Sequence, residues 1–316
     1  MKIVILDAAT LGADTDLSPL MEQGTVTVWN NTAPEQIAAR IAEAEVIVSN
    51  KVRLMEPVLR EAKELKLICL SATGYDCVDT AYCAANGIGV CNVPGYSTHS
   101  VAQLTVAMVL ELTNHLSSYR EFVHSGAYSR SGVANALTPV WHELYGKTWG
   151  IIGGGNIGRQ VAKIAEAFGC RVLVCRRKPD DVYQTADLND LCAQSDIISI
   201  HVPLTEETRG MIGPEQIGLM KENVILVNVA RGAVTDEAAL AEAVKTGKIG
   251  GLGVDVYSQE PFGAEHAFQS ILDLPNVCLT PHTAWGALET RNRCVRLVAE
   301  NIADFRAGGG KNRVEQ

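Results

Sequence analysis

The sequence predicts an α/β protein with two Rossmann-like domains, each a doubly wound parallel sheet. Its 316 residues exceed the roughly 250 to 300 residues that one hydrophobic core usually organises. Short apolar runs rich in β-branched residues alternate with segments of helical period, which is typical of parallel sheets covered by helices. The composition, 47% hydrophobic and 20% charged, supplies enough apolar surface for two such sheets.

The first series of elements occupies the N-terminal part of the chain. Apolar runs of strand length predict strands at residues 2–7, 45–48, 66–70 and 87–93. Helical spacing between these runs predicts helices at residues 34–44 and 57–65. A long apolar helix is expected over residues 100–116. Residues 117–145 carry no sheet pattern, and we interpret them as the crossing between domains.

A second series begins after residue 147. Strands are predicted at residues 148–153, 171–175, 197–202, 224–229, 251–256 and 277–280. Helices are predicted at residues 157–169, 236–247 and 288–307. The last helix could pack back on the first series, because chain termini often lie close together. We therefore expect a discontinuous substrate domain, residues 1–99 and 287–316, into which a dinucleotide-binding domain, residues 100–286, is inserted.

The overall charge argues against nucleic acid and anionic membranes as partners. The formal net charge is -9, and the pI is about 5.3. The N-terminal apolar stretch is too short for a signal peptide, and no window approaches the roughly 20 apolar residues of a spanning helix. We expect a cytoplasmic protein. Its nine scattered cysteines, without a CxxC pair, predict reduced thiols and no metal site.

A glycine run, GGGNIG at residues 153–158, follows an apolar strand and opens a helical segment. In that context Gly153 permits a tight turn, and Gly155 lets the main chain approach a pyrophosphate. Gly158 brings helix and strand together. Free amides and the helix dipole would then hold the phosphates. The pattern predicts dinucleotide binding, and the alternative is a glycine-rich turn of an ordinary α/β protein.

The residue at the end of the next strand indicates which dinucleotide binds. An acid normally stands there, about 20 residues beyond the turn, and binds the adenosine ribose hydroxyls. This chain has Arg176 followed by Arg177. Without the acid nothing repels a 2′-phosphate, and the arginines could bind it by charge-assisted hydrogen bonds. NADP(H) is therefore favoured, and NAD(H) remains open because a solvated basic turn tolerates either cofactor.

Several motifs, in one order along almost the whole chain, carry a family resemblance. They are SATGYD at 71–76, VPGYS at 93–97 with SVAQ at 100–103, the glycine run, HVPLT at 201–205, NVARG at 228–232, GVDV at 253–256, EP at 260–261 and TPH at 280–282. In these the chain resembles the D-isomer-specific 2-hydroxyacid dehydrogenases, and within them the glycerate dehydrogenase or hydroxypyruvate reductase type. Departures are Cys77 for a frequent asparagine, Gln103 for a frequent glutamate, and Arg176 for the acid.

The resemblance implies that Arg231, Glu260 and His282 are catalytic. Reduction of a 2-keto acid adds a hydride to the carbonyl carbon, and the oxygen must then receive a proton. His282 would donate that proton, and Glu260 would fix its tautomer and favour the imidazolium. Arg231 would polarise the carbonyl and pair with the carboxylate. Taken singly, each side chain could be structural or solvated, but all three follow apolar strands, where ligands of open α/β sheets bind.

The resemblance also implies the remaining site residues. The amides of Thr73 and Gly74 would bind the substrate carboxylate together with Arg231, although a turn could equally require the glycine. Asp255 would contact the nicotinamide carboxamide, or else cap a loop. His201 would border the adenine. The other residues expected at the cofactor are Asn156, Ile157, Pro203, Val229 and Ala230.

We predict from these features an NAD(P)-dependent oxidoreductase acting on hydroxypyruvate or glyoxylate in a cleft between the domains. The family usually dimerises through the long helix and the segment after it, here residues 100–145. A homodimer is therefore expected, with a monomer as the alternative. A corepressor-like, nucleotide-sensing regulatory protein of the same fold is the competing function. Turnover of reduced cofactor with a keto acid distinguishes the two.

Overall fold

The chain forms two units in the computed structural model, which describes residues 1–178 and 182–315. One unit consists of Met1–Ser97 together with Trp285–Gln316, and the other is Thr98–Ala284. The second unit is therefore inserted in the first, as the sequence predicts. Each unit contains one parallel sheet with helices on both faces. The predicted fold class is confirmed.

The first unit contains a five-stranded sheet in the order β2-β1-β3-β4-β5. Its strands are β1 (Lys2–Ile5), β2 (Thr25–Val28), β3 (Val46–Ser49), β4 (Leu67–Leu70) and β5 (Gly89–Cys91). Its N-terminal helices are α1 (Ser18–Met21), α2 (Ile37–Ile41), α3 (Glu56–Leu59) and α4 (Thr80–Ala85). Successive side chains enter two different cores: Ile3 and Ile5 lie in one, Val4 and Leu6 in the other. This alternation explains why the strands are apolar throughout.

The second unit contains seven parallel strands in the order β12-β11-β10-β9-β6-β7-β8. These are β6 (Thr148–Ile152), β7 (Arg171–Cys175), β8 (Gln184–Thr185), β9 (Ile197–Ile200), β10 (Val224–Asn228), β11 (Ile249–Val254) and β12 (Val277–Leu279). Counted from β6, the first six strands have the Rossmann order 3-2-1-4-5-6, with β12 added at one edge. The strand order reverses between β6 and β9, where dinucleotides bind in such sheets.

The helices of the second unit are α5 (Thr98–Asn114), α6 (Leu116–His124), α7 (Ala127–Ser131), α8 (Asn156–Ala167), α9 (Leu188–Gln194), α10 (Pro214–Leu219) and α11 (Glu237–Lys245). Those other than α6 and α7, which have no buried residue, cover the faces of the sheet. The final helix, α12 (Leu288–Arg306), belongs to the first unit. Its apolar face, which includes Val295, Val298 and Ile302, packs in the core that also holds Ile3 and Ile5. The expectation that the C-terminal helix packs on the first series is confirmed.

The sequence-based element bounds were wrong in several places. The strand β2, TVTV, was not predicted, because three of its four residues are exposed at the sheet edge. The predicted helix at 34–44 is a 3-10 turn, Pro34–Gln36, followed by the short α2. The segment after residue 116 is not irregular throughout, since it contains α6 and α7.

All nine cysteines are free thiols, as expected, and Cys69, Cys83, Cys91, Cys170, Cys192 and Cys294 are buried. Burial raises the pKa of Cys192 and of Cys294 to about 12, so these thiols stay protonated at neutral pH. In the described ranges, 1–178 and 182–315, no three acidic, histidine or cysteine side chains form a cluster fit for a metal ion. None of the helices described there is long and apolar enough to cross a membrane.

Candidate active site

The glycine run forms a tight turn between β6 and α8. Gly153 has a φ of +105°, and a Cβ there would lie 2.7 Å from the carbonyl of His201. A Cβ on Gly158 would overlap the carbonyl oxygen of Gly153, so helix and strand approach closely only with glycine at this position. A Cβ on Gly155 would meet nothing within 4 Å. The protein therefore leaves no room for a side chain at Gly153 or Gly158, whereas the space beside Gly155 is free.

This turn fits the pyrophosphate of a dinucleotide. Helix α8 begins at Asn156, and Ile157 is its second residue. No side chain caps the helix at Gly155. The first amides of a helix lack intrahelical partners, and the helix dipole favours an anion there. Open space over Gly155 gives a phosphate access to these amides. The sheet order reverses at the same end of β6, which is the usual place for such a ligand.

Arg176 lies directly beside the glycine run. A Cβ on Gly154 would lie 3.0 Å from the Cδ of Arg176 and 3.5 Å from its Nε. The guanidinium thus stands at the end of β7, where the ribose acid of this fold usually stands. Arg177 is exposed and lies 3.8 Å from a carboxylate oxygen of Glu207, a solvent-screened pair of small energetic weight. A cation therefore occupies the position at which this fold usually has the ribose acid.

His201 follows β9 and faces the glycine turn through its main chain. The Trp149 indole donates to the Ser199 hydroxyl at 3.0 Å, and that hydroxyl lies 2.9 Å from the His201 Nε2. Either group can donate in this second bond, because a hydroxyl oxygen can accept two hydrogen bonds. Nδ1 is buried and has no hydrogen-bond partner among the described residues. Burial lowers the pKa of His201 to about 3, so the ring is neutral at physiological pH.

Arg231 lies in the loop after β10, and the side chain of Asn228 shapes this loop. Asn228 accepts the Ala230 amide at 3.0 Å and donates to the Arg231 carbonyl at 3.0 Å. The half-buried Arg231 guanidinium donates to the Ala230 carbonyl at 2.8 Å. No carboxylate pairs with this guanidinium in the part of the chain that the structure describes. An unpaired, half-buried guanidinium is suited to an anionic ligand.

Gly232 brings the Arg231 loop against the loop that carries Glu260. A Cβ on Gly232 would overlap the main chain of Tyr257 and Ser258. No other residue type leaves room for this approach without moving one of the loops. Val229 and Ala230, two of the predicted cofactor residues, are buried beneath this contact. Pro203, another, is exposed after β9, and its carbonyl accepts the Thr208 hydroxyl at 2.6 Å.

Glu260 and His282 form a direct pair. The distance from His282 Nδ1 to Glu260 Oε2 is 2.7 Å, and the two side chains are 22% and 29% exposed respectively. The other carboxylate oxygen of Glu260 accepts the Tyr257 amide at 3.0 Å. His282 has a φ of +54°, which is uncommon for a residue other than glycine. Such conformations persist where the surrounding structure holds them, as it also does at His115, Asn223 and Asn312.

Asp255 holds the loop of His282 from both sides. One of its carboxylate oxygens accepts the Thr280 hydroxyl at 2.5 Å and the Thr283 amide at 2.7 Å. The other accepts the Ala284 amide at 2.8 Å. Asp255 is fully buried at the end of β11. Of its two predicted roles, the loop-holding one is visible in these contacts, and the carboxamide contact stays a prediction.

Tyr257 connects the same loops through its hydroxyl. This group donates to the Thr280 carbonyl at 2.9 Å, while the Tyr257 amide holds Glu260. Burial, with the charges of Asp255 and Glu260, raises the pKa of the Tyr257 phenol, so it remains a donor at all physiological pH values. Neither Tyr257 nor its neighbours Glu237 and His266 were chosen from the sequence. His266 lies 29 residues from Glu237, and no local pattern links them.

Thr73 and Gly74 lie in the first unit, after β4. The Thr73 hydroxyl donates to the Val93 carbonyl at 3.0 Å, and Asn92 donates to the Thr73 carbonyl at 2.7 Å. These contacts fix the loop. Neither the Thr73 amide nor the Gly74 amide has a hydrogen-bond acceptor within residues 1–178 and 182–315. Two adjacent, unpaired amides in a fixed loop can bind a carboxylate.

Known proteins resemble the chain over its whole length. The family model of the D-isomer specific 2-hydroxyacid dehydrogenase NAD binding domain matches residues 106–284. A glycerate dehydrogenase of Methylorubrum extorquens is 39% identical over 99% of both chains. A hydroxypyruvate reductase of Blautia hydrogenotrophica is 33% identical over 100% of both. D-lactate dehydrogenase of Aquifex aeolicus, solved with NAD and lactic acid, superposes with a TM-score of 0.86 at 29% identity, covering 100% of this chain and 99% of that one.

The relatives named above are enzymes, which gives the regulatory alternative no support. A nicotinamide cofactor agrees with the matched NAD binding domain and with the glycine turn of the second unit. The motifs found in the sequence and the extent of these similarities lead to the same assignment. The chain belongs to the D-isomer specific 2-hydroxyacid dehydrogenase family and is a nicotinamide-dependent dehydrogenase.

Proposed function

We propose that the chain reduces hydroxypyruvate or glyoxylate to the corresponding 2-hydroxy acid, with NADPH as the preferred cofactor. The observation that carries the proposal is the Glu260–His282 pair, 2.7 Å apart and partly exposed. The loop of Glu260 packs on Gly232, next to the unpaired guanidinium of Arg231. A proton donor with its carboxylate and a cation for the keto acid thus lie on neighbouring loops. The names of the two relatives above favour hydroxypyruvate, and the similarity of the chain to glyoxylate reductases favours glyoxylate.

His282 is the proton donor in this proposal. Its Nδ1 donates to Glu260, so Nε2 is the nitrogen that delivers a proton to the carbonyl oxygen. When bound, a reduced nicotinamide would supply the hydride that the carbonyl carbon accepts. The π electrons of the carbonyl move to the oxygen, which receives the His282 proton and becomes the hydroxyl of the product. Histidine is left neutral, and Glu260 stabilises the imidazolium that must form again before the next turnover.

Arg231 binds and polarises the keto acid. Its planar guanidinium can donate two parallel hydrogen bonds to a carboxylate and still direct charge at the carbonyl oxygen. That oxygen becomes more negative as the hydride arrives, so the cation binds the transition state more strongly than the ground state. The amides of Thr73 and Gly74 are proposed as further carboxylate ligands, because they are adjacent and unpaired in the described structure.

The preference for NADPH rests on Arg176. The side chain lies over Gly154, beside the turn that would hold the pyrophosphate. A guanidinium there can bind a 2′-phosphate by charge-assisted hydrogen bonds. The other proposed cofactor residues are those of the turn and the strand ends: Gly153, Gly155, Asn156, Ile157, Gly158, Arg177, His201, Pro203, Val229, Ala230 and Asp255.

A homodimer is proposed through the segment that begins with α5 and ends at residue 145. Large apolar side chains in this segment are between 47% and 77% exposed, namely Leu116, Val123, Val133, Leu137, Val140, Trp141 and Tyr145. Monomeric proteins rarely expose so many large apolar groups together.

Light scattering tests the dimer and should give twice the 33.9 kDa chain mass. The double substitution Leu137→Asp with Val140→Asp should lower the measured mass to that of one chain. A wild-type protein of single-chain mass would contradict the dimer.

Steady-state kinetics test the function itself. Purified protein should oxidise NADPH in the presence of hydroxypyruvate or glyoxylate, and kcat/KM should be higher for NADPH than for NADH. Arg176→Asp should reverse the cofactor ratio, whereas Arg171→Asp, at the other end of the same strand, should leave it unchanged. Cofactor binding without turnover on any keto acid would contradict the enzymatic proposal. An unchanged ratio in Arg176→Asp would contradict the cofactor preference alone.

A further inference from the structure

The second unit contains another carboxylate–imidazole pair, close to the first. His266 Nε2 lies 3.0 Å from Glu237 Oε2. The two side chains are only 7% and 11% exposed. Glu237 is the first residue of α11, and His266 precedes the 3-10 helix Ala267–Ile271. Neither element carries a residue of the proposed chemistry.

The hydrogen-bond roles in this pair are fixed by the main chain. His266 Nδ1 accepts the Phe268 amide at 3.2 Å, so the ring hydrogen lies on Nε2 and is donated to Glu237. The Glu237 carboxylate also accepts the Ser258 amide at 2.8 Å and the Ser258 hydroxyl. Three donors therefore meet one buried carboxylate. A charge that is removed from water needs such donors, because desolvation is otherwise costly.

Ser258 connects this buried pair to the proposed active site. It stands next to Tyr257, whose amide holds the Glu260 carboxylate. The same two residues form the surface on which Gly232 packs. Holding Ser258 in place therefore fixes the starting point of the short loop that ends at Glu260. The position of Glu260 relative to His282 depends on that loop.

Aromatic rings enclose the pair and the loop. The His266 ring lies 4.7 Å from the ring of Phe262, 5.0 Å from that of Phe268 and 6.0 Å from that of Tyr257, measured between centroids. Phe262 follows Glu260 by two residues, so the loop is held on both sides of the carboxylate. These ring contacts hold His266 beside the loop that carries Glu260.

We propose that Glu237, with His266 behind it, is a positioning residue: it holds the main chain of Ser258 so that the Glu260 carboxylate meets the His282 imidazole. The inference rests on the proposed function, because it gives Glu260 and His282 the roles described above. Glu237 itself acts through the loop and touches no substrate. Glu237→Gln replaces one accepting oxygen with a donor, which then faces one of the three donors already present.

Kinetics of matched variants test this positioning. Glu237→Gln should lower kcat about tenfold, with the KM for NADPH changed less than twofold. Glu242→Gln, an exposed position on the same helix, is the control and should match wild type. A wild-type kcat in Glu237→Gln would overturn the proposal.

Two substitutions of His266 separate positioning from a merely structural role. His266→Gln can still donate to Glu237 from its side-chain amide, so it should retain kcat within about twofold. His266→Asn can still accept the Phe268 amide but cannot reach Glu237, so it should lose about as much as Glu237→Gln. If His266→Asn retained kcat and His266→Gln lost it, the proposal would be overturned. Acceptance of the Phe268 amide at the start of the 3-10 helix would then be more important than donation to Glu237.

Amide exchange measured by mass spectrometry provides a readout that needs no turnover. The peptide that contains residues 257–262 should exchange about tenfold faster in Glu237→Gln than in wild type and in Glu242→Gln. If the wild-type protein reduces no keto acid, the proposed function fails, and this measurement still tests whether Glu237 holds the loop. Unchanged exchange in Glu237→Gln would overturn the inference even in an active enzyme.

Discussion

The two carboxylate–imidazole pairs of the second unit have the same chemical groups in different surroundings. Glu260 and His282 are 2.7 Å apart and 29% and 22% exposed. Glu237 and His266 are 3.0 Å apart and 11% and 7% exposed. In the buried pair, the Phe268 amide donates to the second ring nitrogen of His266, and the Ser258 amide donates to the Glu237 carboxylate. The comparison teaches that a carboxylate–imidazole pair alone does not identify a catalytic residue, because exposure of the ring and its remaining hydrogen-bond partners distinguish the pair that we propose as catalytic.

Loss of the exposed imidazole should have the largest effect. His282→Gln removes the proton donor, and general acid catalysis typically contributes 10²–10⁴ in rate, so kcat/KM for hydroxypyruvate should fall about 10³-fold. Fluorescence titration should show NADPH binding unchanged within about twofold. The matched change in the buried pair, His266→Gln, should cost less than threefold. Similar losses in the two variants would remove the distinction between the pairs.

Arg231→Lys should have the second largest effect. The ammonium keeps the charge but cannot donate the two parallel hydrogen bonds of the guanidinium. We expect kcat/KM for the keto acid to fall about 10²-fold, comparable to the loss of one oxyanion donor. Arg209→Lys, at an exposed position, is the control and should match wild type. An Arg231→Lys enzyme of wild-type efficiency would mean that the exposed pair acts without this cation.

Glu260→Gln should lower the reduction rate about 30-fold at neutral pH. The amide oxygen can still accept the Nδ1 hydrogen, but it carries no charge to stabilise the imidazolium that donates the proton. Steady-state NADPH oxidation at pH 7.5 measures the loss. A rate within about threefold of wild type would mean that Glu260 only orients the ring.

His201 provides a third case, an imidazole without a carboxylate. Its pKa is lowered from 6.5 to about 3 by burial, so between these values the unfolded chain binds a proton that the folded chain does not. The associated stability is present above pH 6.5 and is lost as the pH falls towards 3. At pH 5 the loss should be about 2 kcal/mol. Urea unfolding of wild type and His201→Gln at pH 7.5 and pH 5 measures this loss of unfolding free energy. An equal loss in the two proteins would contradict its attribution to His201.

The sequence predicted the fold class because both sheets are apolar on both faces. Period-two alternation between two cores in β1 gives an uninterrupted apolar run that is easily identified. β2 was missed because an edge strand with exposed threonines resembles a loop. α6 and α7 were missed because they are short and none of their residues is buried, although Leu116, Tyr119 and Val123 of α6 stand at helical spacing.

The proposed chemical residues could be chosen from the sequence because each follows an apolar strand. The residues that hold them in place could not. Tyr257, Glu237 and His266 act through main-chain amides and carbonyls, and such contacts leave no pattern of residue types at fixed spacing. Asp255 was chosen, but its contacts with Thr280, Thr283 and Ala284 became visible only in the folded loop.

The absence of a side chain at Gly232 has a consequence for adaptation to new substrates. The loops of Arg231 and Glu260 touch through their main chains at this point, with no room for an added methyl group. Neither loop can shift outward alone to admit a larger acid without opening a gap, nor inward without a clash. Substitutions that adapt the protein to a larger acid should therefore be found in side chains elsewhere, while the spacing of the Arg231 and Glu260 loops stays constant.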